Sequence, residues 1–324
     1  MAANWYSTHI YPITVSLIGR ITGIFPFSVA EILIYILIIW SVISLVRASR
    51  KKDMKRWVKK LLLVAGILFL LYVLNCGINY HRISFAESAD FQLESYSVQD
   101  LKETCLWLTD EVNALSGKVE RDKSGQMILN GNERTDAVTA MEKTGEYYPE
   151  LAGFYPRPKA VLNHKILSAQ KLTGIYSPFT IEANYNSGMT DYNVPFTQCH
   201  ELSHLRGFMQ EEEANFIAFL ACRISENNEF QYSGNLLAWI KCMNLLYKMD
   251  YEAWEEIRPL LAAEVEKDLQ ANNEFWRKYD GKVAEVSNQI NDTYLKANGQ
   301  KDGVESYNRM VDLVVSYYLK EIEL

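Results

Sequence analysis

The chain has 324 residues, of which 48% are hydrophobic, and a formal net charge of -7 at pH 7. This length allows one large domain with an appendage, and the acidic balance argues against a nucleic-acid-binding protein. Residues 1–80 contain nine of the 33 Lys and Arg but two of the 40 Asp and Glu, so they carry +7 and the remainder -14. This split indicates a basic, membrane-facing part and an acidic, soluble part. The five scattered cysteines form no CxxC pair and predict neither a disulfide framework nor a thiolate zinc site.

Two apolar segments near the N-terminus predict a transmembrane helical hairpin. Residues 27–46 form a run of about the 20 residues that a bilayer core requires, with Glu31 as its one charge. Residues 61–78 form a slightly shorter run without any charge. The intervening segment 47–60 carries eight Lys and Arg and one Asp, so the positive-inside rule predicts that it is a cytoplasmic loop.

The chain is therefore expected to lie in the cell membrane with two spans, the lipid bilayer being one of its partners. Residues 1–80 form the predicted anchor, and residues 81–324 form the predicted extracytoplasmic domain. Within the anchor, residues 1–26 are moderately apolar with aromatic residues at one end. This composition indicates an interfacial or partly embedded helix.

The soluble domain is predicted to be mainly helical, of the α+β class, with a small β element. Ser97 and Asp100 have the spacing of a capping box, which predicts the start of a long helix. Segment 121–133 contains two turn signals and predicts a small hairpin. Segment 173–188 is rich in β-branched and aromatic residues and predicts a short hairpin or an edge strand. From residue 196 onward the sequence predicts successive helices.

The stretch HELSH at residues 200–204 has the spacing of a zinc site. His200 and His204 are four residues apart, so on a helix their imidazoles share one face and can bind one metal ion. Glu201 is displaced around the helix, from where its carboxylate can accept a proton from a water on the metal. Two histidines leave the site incomplete, because a catalytic zinc usually takes three protein ligands.

The third ligand is expected from the acidic segment that follows. Gly207 is predicted to end the first helix, and a second helix is predicted to begin near Met209. In that helix Glu211 and Asn215 share one face, so Glu211 is the predicted ligand, with Glu212 as the alternative. The amide oxygen of Asn215 is predicted to accept a hydrogen bond from a ligand imidazole. The sequence therefore predicts Zn2+ as a cofactor.

HELSH followed by EEEAN resembles the gluzincin zinc peptidases, whose second helix carries ExxAD or ExxAN. The chain is similar in particular to a family of bacterial membrane-anchored proteins of unknown function within that superfamily. The similarity extends to FPFSVAEILIY, GIYSPFTIEANYN and NDTYLKANGQKDGVESYNRMVDL. The resemblance implies a zincin-like domain and an anchored metallopeptidase, with His200, His204 and Glu211 as ligands and Glu201 as general base. Asn215 replaces the usual aspartate, and only six residues separate His204 from Glu211, which requires a tight reversal.

The predicted activity is hydrolysis of a peptide or protein substrate by a zinc-activated water. Segment 173–188 would suit β-addition of an extended substrate, although an ordinary edge strand explains it equally well. Tyr307, Arg309 and, less so, His164 are candidate donors to the transition-state oxyanion, although a surface or packing role explains each of them better. An intramembrane protease is disfavoured because the charges around HELSH are too dense for lipid.

The alternative function is a non-catalytic, membrane-anchored sensor or peptide-binding protein on a zincin-like scaffold. Such a protein would bind metal or peptide without turnover. The intact Glu201 favours the enzyme, because a protein that only binds has no need of a general base.

Overall fold

The computed structural model describes residues 1–91, 93, 95–300 and 309–322. It shows a mainly helical protein with a small three-stranded sheet and an N-terminal pair of apolar helices, which confirms the predicted fold class.

The N-terminal part consists of four α-helices with short turns of other helix types. These are α1 (Ala2–Trp5), a π-helical turn (Tyr6–Ile10), α2 (Tyr11–Gly23), α3 (Val29–Arg50) and α4 (Met54–Tyr72), which continues as a π turn (Val73–Gly77) and a 3-10 turn (Ile78–His81). Two segments, Val29–Arg50 and Met54–His81, are long and apolar enough to span a membrane. Most of their large apolar side chains are exposed, as contact with lipid requires.

Both apolar helices extend into the basic segment 47–60, so only residues 51–53 connect them. The side chain of Asp53 caps α4 by accepting a hydrogen bond from the Arg56 amide at 3.4 Å. Lys and Arg are good helix formers, and the basic residues therefore lie mostly on helical turns rather than in an open loop. The cytoplasmic location of this segment stays a prediction.

The helix formed by α1, the π turn and α2 buries one face in the domain. Tyr11 and Val15 belong to the main hydrophobic core, and the Tyr11 hydroxyl donates to the Leu205 carbonyl at 3.1 Å. Ile13 and Leu17 lie on the opposite face and are exposed. The segment predicted to be an interfacial helix is thus part of the packing of the domain, and its contact with the membrane interface stays a prediction.

The remaining elements lie between residues 85 and 322, in the predicted extracytoplasmic domain. Its helices are α5 (Phe85–Ser88), α6 (Val98–Ser116), α7 (Glu133–Tyr147), α8 (His164–Ala169), α9 (Asn193–Leu205), α10 (Glu211–Ile224), α11 (Asn228–Met249), α12 (Tyr251–Ile257), α13 (Ala263–Arg277), α14 (Lys282–Ala297) and α15 (Met310–Ile322), with 3-10 turns at Pro149–Leu151 and Arg258–Leu260. Its strands are β1 (Lys159–Ala160), β2 (Gly174–Ser177) and β3 (Glu182–Tyr185).

The core is centred on α9 and α10, which pack on each other and on α11. Almost every residue of α10 is buried, because α7, α9, α11 and α15 surround it. Helix α6 packs along α11 and begins with the predicted capping box of Ser97 and Asp100. This arrangement holds the HELSH helix between the helical core and the sheet.

The sheet has the order β1-β3-β2, so β2 is an edge strand. Strands β2 and β3 form the predicted antiparallel hairpin, in which Gly174 pairs with Tyr185. Strand β1 pairs in parallel with β3. The sequence did not predict this strand, because its two residues come directly after two closely spaced prolines. The hairpin predicted over 121–133 is reduced to one bridge between Arg121 and Met127.

A buried ion pair joins the sheet to the N-terminal helices. Lys159 of β1 binds Glu182 of β3, and both side chains are almost fully buried. The Lys159 ammonium also donates to the Thr22 carbonyl at the end of α2, at 2.7 Å. The Glu182 carboxylate accepts the Val29 and Ala30 amides at the start of α3, at 3.1 and 2.8 Å. Each charge therefore faces the helix end of opposite partial charge.

We expect Lys159→Met to destabilise the fold by about 3–5 kcal/mol, because it leaves the Glu182 carboxylate buried without its partner. Thermal unfolding of the detergent-solubilised chain measures the change. The matched control is Lys102→Met, whose partner Glu256 has 66% of its side chain exposed, so water screens the pair. Equal melting temperatures for the two variants would contradict the structural role of the buried pair.

Candidate metal centre

Three predicted site residues meet at one point of the structure. One ligand atom from each of His200, His204 and Glu211 lies within 4.8 Å of the others. The two histidine Nε2 atoms are 3.0 Å apart, and the Glu211 carboxylate lies 3.3 Å from His200 Nε2 and 3.8 Å from His204 Nε2. Two imidazoles and one carboxylate in this arrangement can hold a metal ion.

The turn after α9 brings these residues together. The Gly207 amide donates to the His204 carbonyl at 2.8 Å and the Phe208 amide donates to the Ser203 carbonyl at 3.3 Å, the two hydrogen bonds of a Schellman motif. Gly207 has φ +91°, a conformation that favours glycine. The chain therefore reverses within a few residues and starts α10 at Glu211, two residues later than predicted.

The same turn orients one of the histidines. The His204 Nδ1 donates to the Phe208 carbonyl at 2.8 Å. The proton of a neutral imidazole is then on Nδ1, and Nε2 is left as an acceptor directed at the cluster. The tautomer of His204 is thus set by a backbone carbonyl, which no side-chain substitution can remove.

The structure separates the three consecutive glutamates. Glu211 joins the histidines, whereas Glu212 accepts a hydrogen bond from Gln300 at 2.6 Å. Glu213 points into the core, where it accepts the Phe85 amide at 2.6 Å. Among the candidates that the sequence left open, the fold therefore favours Glu211 over Glu212.

Glu201 lies beside the cluster and against the edge strand. A Cβ atom built on Gly174 would approach Glu201 Oε1 to 2.5 Å, so only glycine leaves room for the carboxylate at this point of β2. Its Oε2 atom is buried and has no hydrogen-bond partner within the part of the chain that the structure describes. The carboxylate is thus held near the cluster with one oxygen available to a ligand or substrate.

Burial and charge shift the pKa values of the site. Burial raises the pKa of Glu201 to about 8, and burial together with His200 lowers the pKa of His204 to about 4. Burial acts to lower the pKa of His200, but the Glu211 carboxylate outweighs it, so this pKa lies above its usual value. The site therefore keeps His204 neutral, the form that can bind a metal.

Asn215 lies on α10 one turn after Glu211, as the spacing predicted. Its side chain interacts with His200 and contributes to raising the pKa of that imidazole. The structure thus brings Asn215 next to His200, where it can help to orient the ring.

The cluster lines a cleft with a volume of about 780 Å³. Its walls also include Tyr80 beyond α4, segment 170–176 leading into β2, and Tyr294 of α14. Lys241 of α11 is a further lining residue, and its charge interacts with Glu211 while burial lowers its pKa. Sequence reasoning missed Lys241 and Tyr294, because neither belongs to a motif and only packing brings them to the cleft.

The predicted oxyanion donors do not line this cleft where the structure describes them. Arg309 is half exposed and lies 3.7 Å from Glu212. His164 is packed against Gly188. Tyr307 lies outside the described residues.

Comparison with known proteins places the chain in a family. The family described as "Protein of unknown function (DUF3810)" matches residues 6–315, nearly the whole chain. No curated protein and no solved structure matches.

We expect Glu211→Gln to lower the pKa of His200, because it removes the carboxylate that favours the imidazolium while the burial that opposes it remains. In the wild-type chain without metal, we expect the pKa of His200 to lie above that of an ordinary histidine and the pKa of His204 to be about 4. A pH titration of labelled histidines by NMR measures both. Glu212→Gln is the control, since the Glu212 side chain pairs with Gln300. An unchanged pKa of His200 in Glu211→Gln would refute the assignment of Glu211 as the carboxylate beside His200.

Proposed function

We propose that the chain, which belongs to the DUF3810 family, is a membrane-anchored zinc metallopeptidase of the gluzincin type. In this proposal His200, His204 and Glu211 bind the zinc, and Glu201 is the general base. The observation that carries the proposal is the convergence of these four side chains on one cleft beside an edge strand. The HELSH and EEEAN stretches and their resemblance to gluzincins add to it.

The donor set and its spacing fit zinc. Two imidazoles and one carboxylate are a ligand set of catalytic zinc, which leaves one position open. Ligand atoms on a tetrahedral zinc with bonds of ~2.0–2.1 Å lie about 3.3 Å apart. In the cluster the two histidine Nε2 atoms are 3.0 Å apart, Glu211 Oε2 lies 3.3 Å from His200 Nε2, and Glu211 Oε1 lies 3.8 Å from His204 Nε2. The buried Glu201 Oε2, without a protein partner among the described residues, suits a carboxylate that faces water or substrate.

The residues around the cluster can perform peptide hydrolysis. When bound, zinc supplies Lewis-acid chemistry that acidifies a water molecule and polarises the substrate carbonyl. Glu201 would accept the proton of the attacking water, because its buried carboxylate lies beside the cluster and its Oε2 atom has no protein partner among the described residues. Lys241 lines the same cleft and is our candidate for stabilising the negative charge that develops on the carbonyl oxygen.

The edge strand gives the cleft a way to hold an extended peptide. Strand β2 pairs with β3 on one side, and segment 170–176 lines the cleft. A substrate backbone can add to the outer edge of β2 and pass the cluster, as in other cases of β-augmentation. Gly174 lies at the point where this strand meets Glu201.

The first expected outcome concerns metal content. We expect one zinc per wild-type chain, lost in both His204→Ala and Glu211→Ala because each removes a ligand, as measured by mass spectrometry on purified protein. Glu212→Ala is the matched control and should retain the metal, since Glu212 pairs with Gln300 outside the cluster. Absence of zinc from carefully handled wild-type protein would contradict the proposal.

The second expected outcome concerns turnover. We expect Glu201→Gln to retain zinc but to lose cleavage of a peptide library by a factor on the order of 10²–10⁴, the usual contribution of a general base. Mass spectrometry of the products measures the rate. Peptide binding without cleavage by wild-type, zinc-loaded protein would instead support the non-catalytic sensor or peptide-binding protein.

A further inference from the structure

The cleft lies directly beside the apolar part of α4. Leu63 and Phe69 of this helix are exposed, whereas Cys76 and Tyr80 are buried in the domain. Tyr72, about one helical turn after Phe69, is the first residue of this segment to line the cleft. If α4 spans a membrane, the metal cleft therefore begins at the bilayer surface.

Helix α14 crosses this cleft and is attached at both ends. At its C-terminal end the Tyr72 hydroxyl donates to Asn298 at 2.7 Å, and the Tyr294 ring packs edge-on against those of Tyr72 and Tyr80. At its N-terminal end Asp280 pairs with Lys171, which precedes β2. Helix α14 buries only Ala284 and Leu295 of its residues and is thus lightly packed.

Three different faces run along α14, each about a third of a turn apart. The first lines the metal cleft with Ala284, Ser287, Asn288 and Asn291. The second is polar and exposed, with Glu285 and Gln289. The third is an apolar stripe in which Val283, Val286 and Ile290 are 60%, 53% and 65% exposed. Spacings of three and four residues align these three side chains along the helix.

We propose that the Val283–Val286–Ile290 stripe rests in the bilayer interface beside the end of α4, so that α14 is a lipid-contacting roof over the metal cleft. Its attachment to Tyr72 places one end of α14 where the exposed apolar segment of α4 stops. Lys282 and Lys296, one at each end of the helix, suit the headgroup region.

The cleft is lined by a further exposed apolar side chain close to the end of α4. Phe179, at the β2–β3 turn, lines the cleft and is exposed. The neighbouring Pro178 carbonyl accepts a hydrogen bond from Asn75, just beyond α4, at 2.8 Å.

A cleft in this position would act on a polypeptide that is itself held at the membrane, with its scissile bond close to the bilayer surface. This substrate class rests on the proposed peptidase function.

The membrane contact is tested without turnover. The full-length chain carries a single introduced cysteine, Ile290→Cys or the matched Gln289→Cys, labelled with a polarity-sensitive fluorophore in vesicles of equal parts phosphatidylcholine and phosphatidylglycerol. Both positions are exposed, and the five native cysteines are buried, with wild-type protein giving the background. We expect a blue-shifted emission and several-fold stronger quenching by lipid-borne quenchers at position 290 than at 289. Equal, water-like signals would overturn the contact.

The substrate class is tested with one peptide sequence, free in solution or tethered to a lipid in the same vesicles. We expect the tethered form to be cleaved several-fold faster, and we expect Ile290→Asp but not Gln289→Asp to reduce this advantage. Equal cleavage of both forms would overturn the assignment of a membrane-held substrate. No cleavage of either form, with position 290 in lipid, would overturn the peptidase function and support the membrane contact.

Discussion

The reversal of the chain at Gly207 is the constraint on which the candidate site depends. Its left-handed backbone closes a Schellman motif, which ends α9 directly after His204 and lets α10 begin at Glu211. The carbonyl of Phe208, inside the same turn, accepts the proton of His204 Nδ1. One backbone feature therefore sets both the position of the carboxylate and the tautomer of an imidazole. A longer connection would have to restore each of these by separate contacts.

The cleft combines parts of the chain that lie far apart in sequence, and the buried pair of Lys159 and Glu182 holds two of them together. Because its charges satisfy the Thr22 carbonyl and the first amides of α3, the sheet cannot shift without exposing helix ends. This links the edge strand that borders Glu201 to the apolar helices. The proposed peptidase cleft and its proposed contact with the membrane both depend on that connection.

Local patterns predicted the main elements well. The apolar runs mark α3 and α4, the capping box marks the start of α6, and the β-rich segment 173–188 forms the hairpin of β2 and β3. Local patterns predicted less of the structure where contacts between distant segments determine it. Strand β1 exists only because β3 offers it a partner, and the N-terminal helix buries Tyr11 in a core that no local pattern reveals.

The sequence by itself determined which residues are able to bind a metal, because the spacing of His200 and His204 acts within one helix. It favoured Glu211 and kept Glu212 as the alternative, since that choice depends on where α10 begins after the turn. Only the tertiary structure brought Lys241 and α14 to the cleft and set the cleft beside α4. These placements arise from packing between segments distant in the chain, whose surfaces meet only when the whole core has formed.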